Sequence, residues 1–303
     1  RQRHSGVVGG IASPGERVAP QRVRCFQGGM MDKQHLQTAI TAARAGAAEL
    51  MARRDDRVVR EKAPKDLVTD ADLASQKAIR TLLMDAFPRY AFVGEEEGET
   101  QPPPAVLRGD ADAPPCWVVD PLDGTVNYVH RLQSFAVSIG LFAGGKMRLG
   151  VVYDPVVDEI FTAIDGQGAM VNDRVVRSSD CGSVDEALVA CSFPAGVKSD
   201  APEVTRFTRV LERCRSLRRL GSCALNMCYV ASGRLDAYWA TNVSAWDSAA
   251  GTVIAREAGA ELTSYQGAEM DDWDPRFCVA ATSPLHQSMV SLLSNQVFNK
   301  TQS

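Results

Sequence analysis

The sequence predicts a layered α+β fold, and three observations lead to it. Two stretches with helical periodicity open the patterned part of the chain, a block of short apolar runs follows, and the C-terminal half alternates helix with strand. Helices and sheets that come in blocks point to stacked layers rather than to strict βαβ winding. With 303 residues, 45% of them hydrophobic and 23% charged, the chain carries enough apolar material for a large core.

Residues 32–54 hold Leu36, Ile40, Ala43, Ala47, Leu50 and Met51 at helical spacing, which predicts the first helix. A second is predicted over 70–87, where Leu73, Ile79, Leu82, Leu83 and Ala86 share one side and Pro88 closes the pattern. Short strands are expected at 91–93 and 116–119, separated by a loop over 98–115 rich in Pro, Gly and Asp. Residues 135–142, 148–153 and 159–163 read as antiparallel strands, with Ala143-Gly144-Gly145-Lys146 as a hairpin turn. In the second half, strands are expected at 187–191, 217–220, 237–240, 260–263 and 277–280. Helices are expected there at 202–213, 222–232, 244–258 and 285–294. No long linker interrupts the pattern, so residues 31–298 are read as a single domain with two lobes, 31–180 and 181–298.

The first thirty residues differ. They are rich in Arg, Gly and Ser without periodicity, the chain opens on Arg, and Met30-Met31 precedes the first helix. Either an Arg-rich targeting segment or sequence upstream of the true start fits this, the second better, and residues 1–30 are expected to be a disordered extension. A net charge of −4 with no basic tract in the body argues against a nucleic-acid partner. No apolar run is long enough to span a membrane. The eight cysteines form no C-x-x-C pair and suit buried thiols in a cytoplasm-like compartment, and four scattered histidines make a zinc site unexpected.

Chemistry concentrates in Trp117-Val118-Val119-Asp120-Pro121-Leu122-Asp123-Gly124-Thr125-Val126-Asn127. An apolar run that reads as a buried strand breaks at Asp120-Pro121 into a tight turn, since Pro lacks an N–H and Gly permits close backbone approach. The turn offers two carboxylates and backbone carbonyls, hard oxygen ligands suited to Mg²⁺. Thr125 and Asn127 read as the start of a short helix, whose N–H groups favour an anion. Asp-Pro and Asp-Gly are also ordinary turn formers, so on these residues alone a capped turn is the competing reading. Three further acidic clusters fit the first: Thr69-Asp70-Ala71-Asp72, Glu95-Glu96-Glu97 and Asp247 at a helix start rich in small residues. Each alone reads as a cap or a solvated loop. Together they are what a multi-metal oxygen-ligand site requires.

These pieces resemble the inositol monophosphatase family of magnesium-dependent, lithium-sensitive phosphomonoesterases. The matching segments are DLVTDAD (66–72), VGEE (93–96), WVVDPLDGTVNYVH (117–130), GSCALNMCYVASGRLDAY (221–238), WDSAAG (246–251) and REAGAEL (256–262). The resemblance implies a layered αβαβα sandwich of the inositol monophosphatase and fructose-1,6-bisphosphatase type, assembled as a homodimer. It implies two or three Mg²⁺ ions on Glu95, Asp120, the Leu122 carbonyl, Asp123 and Asp247, with Asp72 near a weaker metal or its waters. Glu95 and Thr125 would orient the attacking water. Gly124 and Thr125 would hold the phosphate, and Gly221, Ser222 and Cys223 would line the substrate pocket beside Asp123 and Asp247.

The activity so implied is hydrolysis of a phosphate monoester, inositol 1-phosphate first, by a metal-activated water, with inhibition by lithium. One departure bears on substrate. Inositol-hydrolysing members carry a glutamate seven residues before the Asp247 position, where this chain has Ala240. Losing that acceptor would cost about 1–3 kcal/mol if a ring hydroxyl were left buried and unpaired. Histidinol phosphate, a sugar phosphate or bisphosphate and a 3′-phosphonucleotide are therefore alternative substrates. A non-catalytic metal-binding regulator is the alternative of a different class, weakened because every acidic ligand position is filled. Val126, where many relatives have Thr, is expected to matter little, and Trp239 is read as a core residue.

Overall fold

The computed structural model describes residues 33–63, 66–96, 101–110 and 112–294. The expected extension at 1–30 and the domain end at 295–298 lie outside the described residues. Two helices, α1 (Lys33–Arg53) and α2 (Asp70–Ala86), pack on each other, joined by a hairpin of β1 (Val59–Ala63) and β2 (Asp66–Thr69). A seven-stranded sheet follows, its strands adjacent in chain order: β3 (Ala91–Gly94), β4 (Cys116–Asp123), β5 (Ala136–Ala143), β6 (Lys146–Asp154), β7 (Glu159–Ile164), β8 (Ala169–Val171) and β9 (Arg174–Val176). Among the described residues of this sheet, only β3 and β4 pair in parallel. Two short helices, α3 (Pro104–Leu107) and α4 (Thr125–Val129), sit before and after β4.

A five-stranded sheet collects β10 (Leu188–Ser192), β11 (Ser216–Arg218), β12 (Ala237–Ala240), β13 (Glu261–Ser264) and β14 (Phe277–Ala280) in the order β11-β10-β12-β14-β13. Its helices are α5 (Pro202–Leu211), α6 (Cys223–Ala231), α7 (Ala245–Glu257) and α8 (Ser283–Ser294).

Four apolar cores define five layers. Ala43, Leu50, Ile79 and Leu83 of α1 and α2 meet Trp117, Val119, Ile139 and Val151 on one sheet face. Val118, Val152 and Phe161 on the other face meet Leu225, Ala250 and Val253 of α6 and α7. The far sides of those two helices, with Met227, Val230 and Ala255, cover Ala190, Tyr238 and Val279 of the second sheet. Val189, Trp239 and Cys278 point the other way, to Val210, Leu285 and Met289 of α5 and α8. The result is the αβαβα sandwich the resemblance implies. Strand neighbours alternate between cores, so sheets covered on both faces read as unbroken apolar runs.

One contact sets the spacing of the central layers. Gly140 and Gly150 face each other across β5 and β6, directly under α7. A β-carbon on Gly140 would stand 2.7 Å from that of Ala249, and one on Gly150 would overlap the Ala250 carbonyl. The small residues after Asp247 let α7 lie against the sheet at this distance.

The predicted elements recur with their ends shifted by a few residues. The β1–β2 hairpin, α3, β8 and β9 were not anticipated. β1 has a charged sequence and exposes Val59, Arg60 and Glu61, α3 is a single turn opened by Pro104, and β8 and β9 are three residues each, too short to show a period. No described helix is long and apolar enough to cross a membrane.

Candidate metal centre

The centre is built where β4 stops being regular. Asp120 pairs with Ser138 of β5 and Asp123 with Ala136, so β4 spends one residue more than its partner. Strand residues three apart ordinarily point to opposite faces; the extra residue of this bulge returns Asp123 to the side of Asp120. Pro121, with no N–H for the ladder, occupies the bulge. Its carbonyl accepts from the buried Ser75 hydroxyl at 2.9 Å, and Leu122 N–H donates to Asp120 Oδ1 at 2.9 Å. Gly124 then turns the chain with φ 96°, and a β-carbon there would lie 2.9 Å from the Ser134 carbonyl.

Each remaining acid is held by a helix start. Asp123 accepts from the Ser222 hydroxyl and from the N–H groups of Cys223 (3.0 Å) and Ala224 (2.8 Å), which open α6. Asp247 is the third residue of α7 and accepts from Ser244 N–H at 2.7 Å in a capping box. Oxygens of Asp120, Asp123 and Asp247 all lie within 4.8 Å of one another. Asp120 and Asp123 are buried and Asp247 is half-buried. Glu95, just after β3, is fixed by its N–H to the Val119 carbonyl (3.2 Å), and its charge acts on both Asp120 and Asp247.

The two acids of the 69–72 cluster separate. Asp72 is fully buried, accepts from Thr69 N–H at 2.9 Å, and has the Thr125 hydroxyl 3.5 Å away. Asp70 turns outward, where it accepts from Val58 N–H at 2.7 Å and anchors the β1–β2 hairpin. Thr125 Oγ1 donates to the Leu122 carbonyl at 3.1 Å, which leaves that oxygen a second lone pair. Glu97 falls outside the described residues.

Ser222 departs from its expected position along a pocket. It has no exposed surface, and its hydroxyl is committed to Asp123. Cys223 is also buried, and beside it Gly221 has φ 86°. A β-carbon on Gly221 would meet Asn127, which donates to the carbonyls of Ser134 and Leu220 at 2.7 Å each. Ser75 and the clamping role of Asn127 had no signal in the sequence, because their partners lie on other segments. Val126 is exposed, Trp239 is a core residue, and Ala240 is fully buried among Cys223, Tyr238 and Phe277.

Burial, before any other cause, pushes these carboxyls upward. Asp120 lies well above the ordinary range, with Glu95, Asp123 and Asp247 adding to the shift. Burial takes Asp247 to about 8, with Asp123 and Glu95 contributing, and Asp123 to about 6 against the opposing hydrogen bond from Ser222. Asp72 also rises to about 6 through burial. Acids that repel one another in a buried site, all of them hard oxygen donors, fit a divalent cation that takes oxygen ligands.

A folded-state pKa above the unfolded value near 3.9 means that the folded chain binds protons more tightly. The contribution of these two carboxyls to the stability of the metal-free protein is then full below about pH 4 and is lost as pH rises through about 6 and about 8. The chelated protein should melt at a lower temperature at pH 8.5 than at pH 6, with Mg²⁺ restoring more at the higher pH. Scanning calorimetry at both pH values tests this, and a chelated melting temperature indifferent to pH would count against it.

The sequence model of the Inositol monophosphatase family matches residues 31–297. Inositol monophosphatase 1 of Solanum lycopersicum is 38% identical over 268 residues, covering 86% of this chain and 95% of that protein. Nus factor SuhB of Pasteurella multocida is 38% identical over 236 residues, covering 77% of this chain and 85% of that protein. Among solved structures, the extragenic suppressor protein suhB from Bartonella henselae superposes with a TM-score of 0.78 at 32% identity, over 86% of this chain and 99% of that one. Inositol monophosphatase from Anabaena gives 0.75 at 31% identity, over 86% and 96% of the two chains.

Proposed function

Because this chain belongs to the inositol monophosphatase family, we propose that it hydrolyses inositol monophosphate to inositol and phosphate. Membership makes it a phosphatase-type hydrolase of a metal-dependent kind. The observation that carries the reading is the convergence of Asp120, Asp123 and Asp247, from β4 and α7, on oxygens within 4.8 Å.

In this reading Glu95, Asp120, the Leu122 carbonyl, Asp123 and Asp247 hold two or three Mg²⁺ ions. When bound, the ions supply Lewis acidity that stabilises charge on the phosphoryl oxygens and makes water more acidic. The N–H groups of Gly124 and Thr125, at the start of α4, bind the phosphate. Thr125 Oγ1 has its proton engaged with Leu122, so it meets the attacking water as an acceptor and orients it together with Glu95. Asp72, whose oxygen lies 3.5 Å from the Thr125 hydroxyl, holds a more weakly bound metal or its waters. Asp123 and Asp247 accept from hydroxyls of the alcohol, with Gly221 and Cys223 alongside.

Ala240 brings no polar side-chain atom and sits among apolar neighbours. That supports a second reading, the same chemistry on histidinol phosphate, a sugar phosphate or bisphosphate, or a 3′-phosphonucleotide. A panel of monoesters with Mg²⁺ decides between them. Inositol 1-phosphate hydrolysed no faster than glycerol 2-phosphate would sink the inositol assignment, and release unaffected by millimolar lithium would count against the lithium-sensitive group. Ala240→Glu should raise kcat/KM for inositol 1-phosphate by about tenfold, the worth of one charge-assisted hydrogen bond, while lowering the melting temperature because the site is buried. Lower stability without selective gain would mean that another group already supplies the acceptor. A homodimer in the cytoplasm completes the reading, and light scattering on the eluted protein reports the assembly.

A further inference from the structure

The buried amide of Gln76 grips the backbone beside Glu95. Gln76 lies on α2, 5% exposed, one turn after Asp72 and next to Ser75. Its side chain meets a single residue at two points. Oε1 accepts from the Glu96 N–H at 2.9 Å, and Nε2 donates to the Glu96 carbonyl. Partners of opposite kind fix which end of the amide is which.

The amide stands where a neighbouring strand would otherwise be. β3 lies at the edge of its sheet and ends at Gly94, where its pairing with β4 also ends. Glu95 N–H still reaches the Val119 carbonyl of β4 at 3.2 Å, but Glu96 lies beyond the ladder. Glu96 is 3% exposed, and an unpaired N–H and carbonyl at a buried residue would cost free energy. Gln76 satisfies both. Gly94 makes room for it, since a β-carbon there would overlap Gln76 Oε1.

The same helix face reaches the other acid-bearing segment. Asp72, Ser75 and Gln76 are spaced i, i+3 and i+4, which puts them on one side of α2. Ser75 holds the Pro121 carbonyl at 2.9 Å, inside the β4 bulge between Asp120 and Asp123. One helix thus registers the chain at Glu95 against the chain at Asp120. Buried carboxylates that repel one another need such a frame to stay together.

We propose that Gln76 is a positioning residue for the metal centre. Acting through the backbone of Glu96, it fixes Glu95 and so sets how tightly the carboxylates hold a divalent cation. This role presupposes the metal centre of the proposed function, and it is independent of which phosphate ester is cleaved.

Titration calorimetry of the full chain with Mg²⁺ alone tests it. Gln76→Met keeps the length of the side chain and removes both hydrogen bonds, and its Mg²⁺ affinity should fall about 10–100-fold. The Mg²⁺ needed for half-maximal phosphatase rate should rise with it, with a smaller effect on kcat at saturating Mg²⁺. Gly94→Ala leaves Gln76 in place but displaces its amide, so it should weaken Mg²⁺ binding too and serves if Gln76→Met does not fold. Thr282→Val is the control for stability alone. It removes a 2.8 Å hydrogen bond to the Cys181 carbonyl just before α8 and should leave Mg²⁺ affinity unchanged. Wild-type Mg²⁺ affinity in the folded Gln76 or Gly94 variant, or an equal loss in Thr282→Val, overturns the proposal alone. A wild type that gives no Mg²⁺ isotherm overturns the metal-centre reading itself, and this role with it.

Discussion

Asp120→Asn is expected to lower kcat/KM on a phosphate monoester by at least ~10²–10³-fold and, in the same protein stripped of metal, to raise the melting temperature. Both effects come from one cause. Asp120 is buried with Glu95, Asp123 and Asp247 acting on it, an arrangement that serves a cation and strains the chain without one. Asparagine keeps the shape and an oxygen for Leu122 N–H but removes the repulsion. Removing one of several mutually repelling buried acids removes the cost of holding it there without a cation. Steady-state kinetics with Mg²⁺ and calorimetry with a chelator check the two halves separately. Phosphate release unchanged by the substitution would count against the enzymatic reading, and an unchanged metal-free melting temperature would count against the electrostatic account of the site.

Gly150→Ala should destabilise the fold by about 1–3 kcal/mol or more, although it adds a single methyl group. The new β-carbon would overlap the Ala250 carbonyl, which is helix backbone and cannot swing aside. Either α7 lifts from the sheet or the sheet bends, and α7 carries Asp247, so activity should fall with stability. Gly182→Ala is the control, because nothing lies within 4 Å of its added carbon, and a change within about 0.5 kcal/mol is expected. Equal melting temperatures for the two variants would show that the layers are not held at glycine spacing.

The layered fold was legible wherever a segment was long enough to show a period or was buried on both faces. The helices at Lys33–Arg53 and Asp70–Ala86 and the strands around Trp117 and Ile139 are of this kind. The β1–β2 hairpin and the three-residue strands β8 and β9 were not, because pairing with neighbours makes them strands and their composition does not. The site was legible as a set of acids but not as an arrangement. Asp70 and Asp72 look alike in sequence, yet one anchors a hairpin and the other is buried beside Thr125. Ser222, expected to face substrate, holds Asp123 instead, a contact between residues far apart in the chain.

By itself the sequence determined the inventory of this protein: carboxylates and a turn carbonyl as hard oxygen donors, a glycine where the chain must turn back, and small residues where a helix must lie close to a sheet. These are properties of residue type and local spacing, present before any folding. Only the tertiary structure decided which acids converge. Asp120 and Asp123 stand three apart and would face opposite ways in a regular strand. They share a side because β4 bulges against β5, and they stay there because the starts of α6 and α7 hold Asp123 and Asp247 beside Asp120. Register and helix docking are relations between segments, so no stretch of the chain read alone contains them.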